Sequence, residues 1–232
     1  KKFVMMYPNI QKATFISRPN RFIAHIEING RSEICHVKNT GRCAELLLPG
    51  AEVYVQKFPL GNRKTNYDLI SVRKDTRLIN IDSQAPNRVF YEWVMDGNFL
   101  PDITKIQPEY KFLSSRFDFY LEYVGKKALL EIKGATLEEN GVVLFPDAPT
   151  ERGVKHIKEL IQCKKEGFDA WIVFIIQMSD VYYFTPNESM HPEFAAALRD
   201  AHESGVNILA LDCIVTENSI TANNPVPIML HA

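Results

Sequence analysis

The sequence predicts a chain in two parts, a small all-β barrel followed by an α/β domain. Three observations predict it. The first third alternates short β-branched segments with turn signals, whereas the remainder alternates apolar strands with amphipathic helical patterns. Charge divides at the same place. Residues 1–82 hold 14 Lys and Arg against 7 Asp and Glu, and the rest hold 13 against 21, so a net −1 over 232 residues conceals +7 and −8. A chain of this length can bury one large core or two small ones.

Residues 14–17, 22–28 and 33–37 are β-branched or alternating, with turn signals at Pro19-Asn20 and Asn29-Gly30. Asn-Gly between alternating apolar residues is a strong hairpin signal. A short apolar helix is expected over residues 43–48, stopped by Pro49-Gly50. Two further strands, 52–58 and 67–72, are joined through Gly61-Asn62. Five strands with one short helix between the third and fourth is the order of an OB-like barrel, here given residues 1–82. Such barrels bind oligonucleotides through aromatic and basic side chains. Phe15, Phe22 and Tyr54 are the candidates for stacking on bases, and Arg18, Arg21, Arg31, Arg42 and Lys57 for meeting phosphates. For any single aromatic, filling the barrel is the better reading, and the basic residues can form a solvated surface.

Residues 83–232 form the second domain. A 3.6-residue period marks a helix over 84–97, ending at Gly97. An alternating stretch over 117–121, a turn at Gly125-Lys126 and a strand over 128–133 follow, then a strand over 141–145 ending at Pro146-Asp147. Thr150 can cap a helix whose positions Val154, Ile157, Leu160 and Ile161 share one face. Residues 168–177 are a near-continuous apolar run, the pattern of a strand buried on both faces. A helix over 192–204 and a strand over 206–214 complete the domain, and residues 223–227 are expected to be loop. The 84–97 helix and the 206–214 strand are each a core element or an interface. Oligomeric state stays open, a homodimer included.

Several classes are excluded. No apolar run reaches the ~18 residues of a membrane span, and Pro8-Asn9 come too soon after the first residues for a secretory signal. Cys35, Cys43, Cys163 and Cys213 form no C-x-x-C pair and have no zinc-spaced histidine. Free thiols in a reducing compartment, the cytoplasm, are the expectation, with no membrane partner. Nucleophile-elbow, P-loop and dinucleotide-binding motifs are missing.

One constellation can carry chemistry. Glu131 and Lys133 lie two apart in a strand and share a face, while Leu130 and Ile132 point into a core. Asp118 sits between Phe117 and Phe119. An even-length hairpin loop near Gly125-Lys126 sets it across from Lys133 and diagonal to Glu131. Two carboxylates meeting this way make a hard-oxygen site suited to Mg²⁺ or Mn²⁺. A cation there would polarise a phosphodiester, and the lysine would offset charge on its oxygens. E-x-K is also a common exposed strand pattern; the preceding Asp and the capped helix that follows weigh toward chemistry. His156, near the start of that helix, reaches a phosphate or faces solvent.

The run His36-Val37-Lys38-Asn39-Thr40-Gly41-Arg42, followed by Glu45-Leu46-Leu47-Leu48-Pro49-Gly50, resembles the N-terminal signature of the sugar fermentation stimulation protein A (SfsA) family. Arg116-Phe117-Asp118-Phe119, Glu131-Ile132-Lys133, Thr136-Leu137 and residues 144–153 resemble its second signature. The resemblance runs from residue 10 to residue 216. It implies an OB-like domain joined to a PD-(D/E)XK nuclease-like α/β domain, and DNA binding with a role in regulating sugar metabolism. It makes Asp118, Glu131 and Lys133 the nuclease-like triad, with Mg²⁺ or Mn²⁺ on the two carboxylates. Thr150, Glu151, Arg152 and Gly153 would line the same cleft. Asn39, Thr40, Gly41 and Arg42 would form a loop against the barrel, Arg42 contacting phosphate or bracing Glu45. Arg18, Arg21, Arg31, Asn39, Thr40, Arg42, Arg116, Thr150 and Arg152 are thus the candidate nucleic-acid contacts. Three functions follow: largely sequence-nonspecific DNA binding, metal-dependent cleavage of DNA or RNA, and a protein–protein module with an acidic partner.

Overall fold

A computed structural model describes residues 2–231. The N-terminal part contains β1 (Met5–Met6), β2 (Ile10–Asn20), β3 (Ile23–Ile28), β4 (Arg31–Val37), β5 (Glu52–Lys57), β6 (Tyr67–Lys74) and β7 (Arg77–Asn80). Asn29 and Gly30, at φ 51° and 75°, make the two-residue turn between β3 and β4. β2 pairs antiparallel with β3 and β5, β3 with β4, and β5 with β6; β4 pairs parallel with β6 and closes the ring. Closure leaves no free edge among these five strands. Phe15, Ile26, Val37, Val53, Val55 and Leu69 fill the inside, all at most 2% exposed.

The helix expected over 43–48 does not form. Cys43 is left-handed at φ 47°, and the Leu46 and Leu47 N–H groups both donate to its carbonyl in a single turn. Six residues before Pro49-Gly50 give too few hydrogen bonds to offset the cost of a helix nucleus.

The second part contains α1 (Ala85–Met95), β8 (Ile103–Phe112), β9 (Ser115–Tyr123), β10 (Lys126–Ala135), β11 (Leu137–Glu139), β12 (Val142–Phe145), α2 (Glu151–Lys165), β13 (Asp169–Ile176), β14 (Tyr183–Pro186), α3 (Pro192–Glu203), β15 (Asn207–Thr216) and β16 (Ser219–Pro225). A seven-stranded sheet has the order β1-β16-β15-β13-β10-β9-β8, and β11, β12 and β14 form a small second sheet. The central strands β10, β13 and β15 are parallel and covered on both faces. Such strands read as apolar runs because neither face meets water. α1 packs Val89, Phe90 and Val94 on the face that holds Leu130, Ile132, Val173 and Ile175. α2 and α3 pack Ile157, Leu160 and Leu198 on the face of Leu129, Ile172 and Phe174.

Residues 223–227, expected as loop, are in part strand: β16 runs through Pro225, antiparallel to β15. Its polar Asn223-Asn224-Pro225 end conceals the pairing. β1 pairs with the other side of β16 and forms one edge of the seven-stranded sheet. β8 carries Pro108 and a left-handed Glu109 at φ 54°, and it lies at the opposite edge, where a missing N–H is tolerated. The 84–97 and 206–214 segments are core elements: Phe90, Leu211 and Cys213 are fully buried.

Candidate functional site

The β9–β10 hairpin places the first two carboxylates. Its loop is Val124-Gly125, both left-handed at φ 46° and 72°, which pairs Tyr123 with Lys126 and, at the end of the ladder, Phe119 with Leu130. The next pair in this register is Asp118 with Glu131. The expected pairing of Asp118 with Lys133 is therefore off by two residues, because the turn falls one residue earlier than Gly125-Lys126. An even slip keeps every side chain on its face, so the shared face survives.

Beyond Leu130 the ladder stops, and the Asp118 carboxylate takes the free strand N–H: Ile132 N donates to Oδ2 at 2.7 Å. Asn87 Nδ2, in the first turn of α1, donates to Oδ1 at 3.1 Å. Burial, and then the charge of Glu131, push the Asp118 carboxyl up to about 6 from the usual 3.8, against the opposing pull of the Ile132 N–H, Asn87 and Lys133. Glu131 is 3% exposed. Its Oε2 lies 3.6 Å from Lys133 Nζ and 3.1 Å from His156 Nδ1. Lys133 Nζ is itself 3.1 Å from that nitrogen, and Arg152 Nε is 3.4 Å from His156 Nε2.

α2 is aimed by its cap. Thr150 Oγ1 accepts from Gly153 N at 3.0 Å, and Glu151 sits in the first turn, where a negative charge suits the helix dipole. With Ile157 turned into the core, the preceding His156 lies at the edge of the buried stripe and faces Glu131. The sequence left its direction open. That it directly precedes a core residue of the stripe was the available signal.

Backbone packing fixes the strand beside Lys133. A Cβ on Gly134 would stand 2.5 Å from Gln177 Oε1 and 2.8 Å from Pro86 Cγ, so only glycine fits between β10, α1 and the end of β13. Gln177 Nε2 donates to Asn80 Oδ1 at 2.8 Å and to the Asp82 carbonyl at 3.0 Å. Asp82 is wholly buried. It accepts from Tyr7 Oη at 2.8 Å and from Gln84 N at 3.0 Å, and pairs with Lys38 Nζ at 3.2 Å. Burial and the Asp82 charge hold the Tyr7 hydroxyl far above its usual range. This network ties the barrel loop, the first residues and α1 together. The sequence did not disclose it, because its members are scattered over 170 positions.

The basic candidates divide into braces and free groups. Arg18 donates to the carbonyls of Gly41, Arg42, Arg21 and Asn39 at 2.7–2.9 Å, so it holds the 39–42 loop. Asn39 Oδ1 accepts from Gly41 N at 2.8 Å. A Cβ on Gly41 would stand 2.7 Å from the Asp147 carboxylate, which brings the loop against the segment leading into α2. Arg21, Arg31, Thr40, Arg42, Arg116 and Arg152 are exposed. Arg21 joins this loop through Arg18, whereas Arg31 lies at the opposite end of the β3–β4 hairpin. Arg116 stands near the tip of the β8–β9 hairpin, 3.9 Å from Glu109. No Arg42–Glu45 pair forms among the described residues. One buried oxygen of Glu45 has no partner, and burial raises its carboxyl. Of the stacking candidates, Phe15 and Tyr54 are buried and Phe22 is 52% exposed, with the Arg21 guanidinium 5.5 Å over its ring.

Asp118 and Glu131 supply hard oxygens, and among the described residues no group of three or more His, Cys, Asp or Glu is arranged to hold a metal ion. Two carboxylates, completed by water and ligand oxygens, fit the way Mg²⁺ is usually held. All four cysteines are buried and unpaired. Among the described residues no helix is long and apolar enough to cross a membrane.

Two family models match the chain: "SfsA N-terminal OB domain" over residues 16–81 and "Sugar fermentation stimulation protein RE domain" over residues 84–219. The chain is similar to sugar fermentation stimulation protein homologs of Clostridium beijerinckii, at 56% identity over 97% of this chain and 100% of the relative, and of Desulfitobacterium hafniense strain Y51, at 58% over 97% and 99%. It is similar to a solved structure described as Pyrococcus furiosus SfsA in complex with Ca²⁺, with a TM-score of 0.88 and 30% identity over 97% of this chain and 98% of that one.

Proposed function

The chain belongs to the sugar fermentation stimulation protein family, and on that footing we propose that it is a phosphate-directed, largely sequence-nonspecific DNA-binding protein with a divalent-cation site of the PD-(D/E)XK nuclease type. The observation that carries the proposal is the meeting of Asp118, Glu131 and Lys133 beneath His156 and Arg152, beside a barrel of charge +7. Two carboxylates facing a phosphate backbone repel it unless a cation lies between them. Asp118 and Glu131 would hold Mg²⁺ or Mn²⁺. Such an ion, when bound, polarises a phosphodiester and acidifies nearby water. Lys133 offsets charge on the phosphoryl oxygens, and Arg152 extends the contact along the backbone. The Ca²⁺ in the Pyrococcus structure is that protein's; an oxygen-seeking ion in a relative agrees with the chemistry proposed here.

On the barrel, Arg21 and Arg42 meet phosphates and Phe22 offers a stacking face. A part in regulating sugar metabolism is the physiological role that the family name lends to such binding. A protein–protein module is the competing account of the basic barrel; counterion release predicts that DNA affinity falls steeply with salt, and a flat profile would favour the protein partner.

The intact Lys133, pressed against Glu131, favours a second reading as an active nuclease on DNA or RNA. Labelled single- and double-stranded DNA and RNA incubated with Mg²⁺ or Mn²⁺ separate the two. Cleavage that disappears in Glu131→Ala and Lys133→Ala makes the protein an enzyme. Binding without cleavage leaves the site as a cation-bridged DNA contact. Absence of binding to every nucleic acid overturns both.

A further inference from the structure

The registers of four strands line up one cross-strand row on the outside of the barrel. Asp68 on β6 lies opposite His36 on β4, His36 opposite Ile23 on β3, and Ile23 opposite Asn20 on β2. Residues directly opposite share a face, and the neighbours Ala24, Cys35, Val37 and Leu69 are buried inside the barrel. Four strands roughly 4.8 Å apart make the row about 14 Å long.

Each end of the row carries a guanidinium over a phenyl ring. At the β2 end, Asn20 Oδ1 accepts from Phe22 N at 2.9 Å and from Ile23 N at 3.0 Å, which fixes the turn that sets Arg21 5.5 Å over the Phe22 ring. At the β6 end, Arg63 of the β5–β6 loop lies 3.8 Å over the Phe58 ring. Its Nε donates to the Thr65 carbonyl at 3.2 Å and its Nη2 to Asp68 Oδ1 at 2.5 Å, so the guanidinium plane is held through two nitrogens and one face. The Arg63 side chain is nonetheless 41% exposed. Between the two ends His36 keeps 40% of its side chain exposed, with Nδ1 3.7 Å from the same Asp68 oxygen. The Asp68 carboxylate itself is buried, so the charge the row presents to solvent is basic.

Resting on the DNA-binding reading above, we propose that this row is a stacking platform for single-stranded DNA: unpaired bases lie on Phe22, on His36 and on the face of Arg63 turned away from Phe58. Aromatic rings and guanidinium planes both accept a stacked base, whatever its identity. A duplex offers its groove only base edges, so these flat groups favour an unpaired strand. Asp68 is the positioning residue, because its carboxylate fixes the Arg63 plane from beneath.

The test separates flat contacts from charge. Anisotropy titrations of the full chain compare a labelled single strand of about twelve nucleotides with the matching duplex, for wild type, His36→Ala, His36→Phe and Arg63→Lys. The lysine variant keeps the charge and removes the plane, and the phenylalanine variant keeps a plane. The expected result is single-strand affinity lowered about 5- to 100-fold in His36→Ala and Arg63→Lys, the range for losing one stacked base, and held within about twofold by His36→Phe. Duplex affinity should stay unchanged in all three. Unchanged single-strand affinity in His36→Ala or Arg63→Lys, or an equal loss on the duplex, overturns the platform and leaves the phosphate-directed reading standing. Wild type that binds duplex but no single strand does the same. If wild type binds neither, the platform and the DNA-binding reading fall together. Self-association that both variants abolish, with single-strand binding intact, would make the row a contact between copies and overturn the proposal. A second measurement needs no variant: iodouracil-substituted single strands should photo-crosslink to wild type at Phe22 or His36, and crosslinks confined to other segments overturn the platform.

Discussion

Replacing Asp118 with Asn should stabilise the protein while disabling the proposed cation site, and the structure sets the size and the pH window of the effect. The Asp118 carboxyl is raised from 3.8 to about 6, chiefly by burial and then by the charge of Glu131. The distance from 3.8 to about 6 corresponds to about 3 kcal/mol, an upper bound on what ionising this group costs the folded state. Because the folded value lies above the unfolded one, the cost is fully present above pH 6. It fades as pH falls toward 3.8 and vanishes below that. Asparagine removes the charge and keeps an acceptor for the Ile132 N–H. Urea unfolding with EDTA should therefore show Asp118→Asn more stable than wild type at pH 8, by up to about 3 kcal/mol, with the gap closing by pH 4. Mn²⁺ at 100 times Kd should nearly close this gap, since it adds about 2.7 kcal/mol to wild type alone. A variant no more stable than wild type at pH 8, or a gap unchanged at pH 4, would refute the reasoning.

Asp82→Ala should destabilise the protein by about 3–5 kcal/mol in urea, because it takes the acceptor from the buried Tyr7 hydroxyl and leaves Lys38 only the longer 3.9 Å pairing with Asp68; a loss under 1 kcal/mol would contradict the network's role. Arg21→Ala and Arg42→Ala should weaken DNA affinity about equally across sequences in anisotropy titrations, with melting unchanged. Arg18→Ala should lower the melting temperature as well, since its guanidinium holds four carbonyls. Phe22→Ala should reduce single-stranded DNA affinity by about 1–3 kcal/mol without altering the salt slope, and an unaffected affinity would remove this ring from the interface.

Most of the barrel was legible in the sequence because its strands announce themselves by alternation and its turns by Asn-Gly and Pro-Asn pairs. The central parallel strand β13 was equally legible from its unbroken apolar run. Strands at edges or with polar ends were not: β8 hides behind Pro108, β16 ends in Asn-Asn-Pro, and β1 is two residues long. The Cys43 segment shows the reverse error, apolar residues at helical spacing that a nearby Pro-Gly leaves too short to nucleate. Within the site, parity put Asp118, Glu131 and Lys133 on one face even though the register was off by two. His156 was visible only as a residue beside the buried stripe. Arg18 looked like a phosphate contact from its charge; three of its four carbonyl partners, Asn39, Gly41 and Arg42, are long-range and could not be read locally.

The central claim is that Asp118 and Glu131 meet a phosphate backbone through a divalent cation. The direct measurement is the affinity of a short fluorescent DNA duplex at fixed ionic strength, with and without Mn²⁺, for wild type and Glu131→Ala. The account predicts that Mn²⁺ tightens binding to wild type and leaves binding to Glu131→Ala unchanged. Equal tightening in both proteins, or none in wild type, would contradict it.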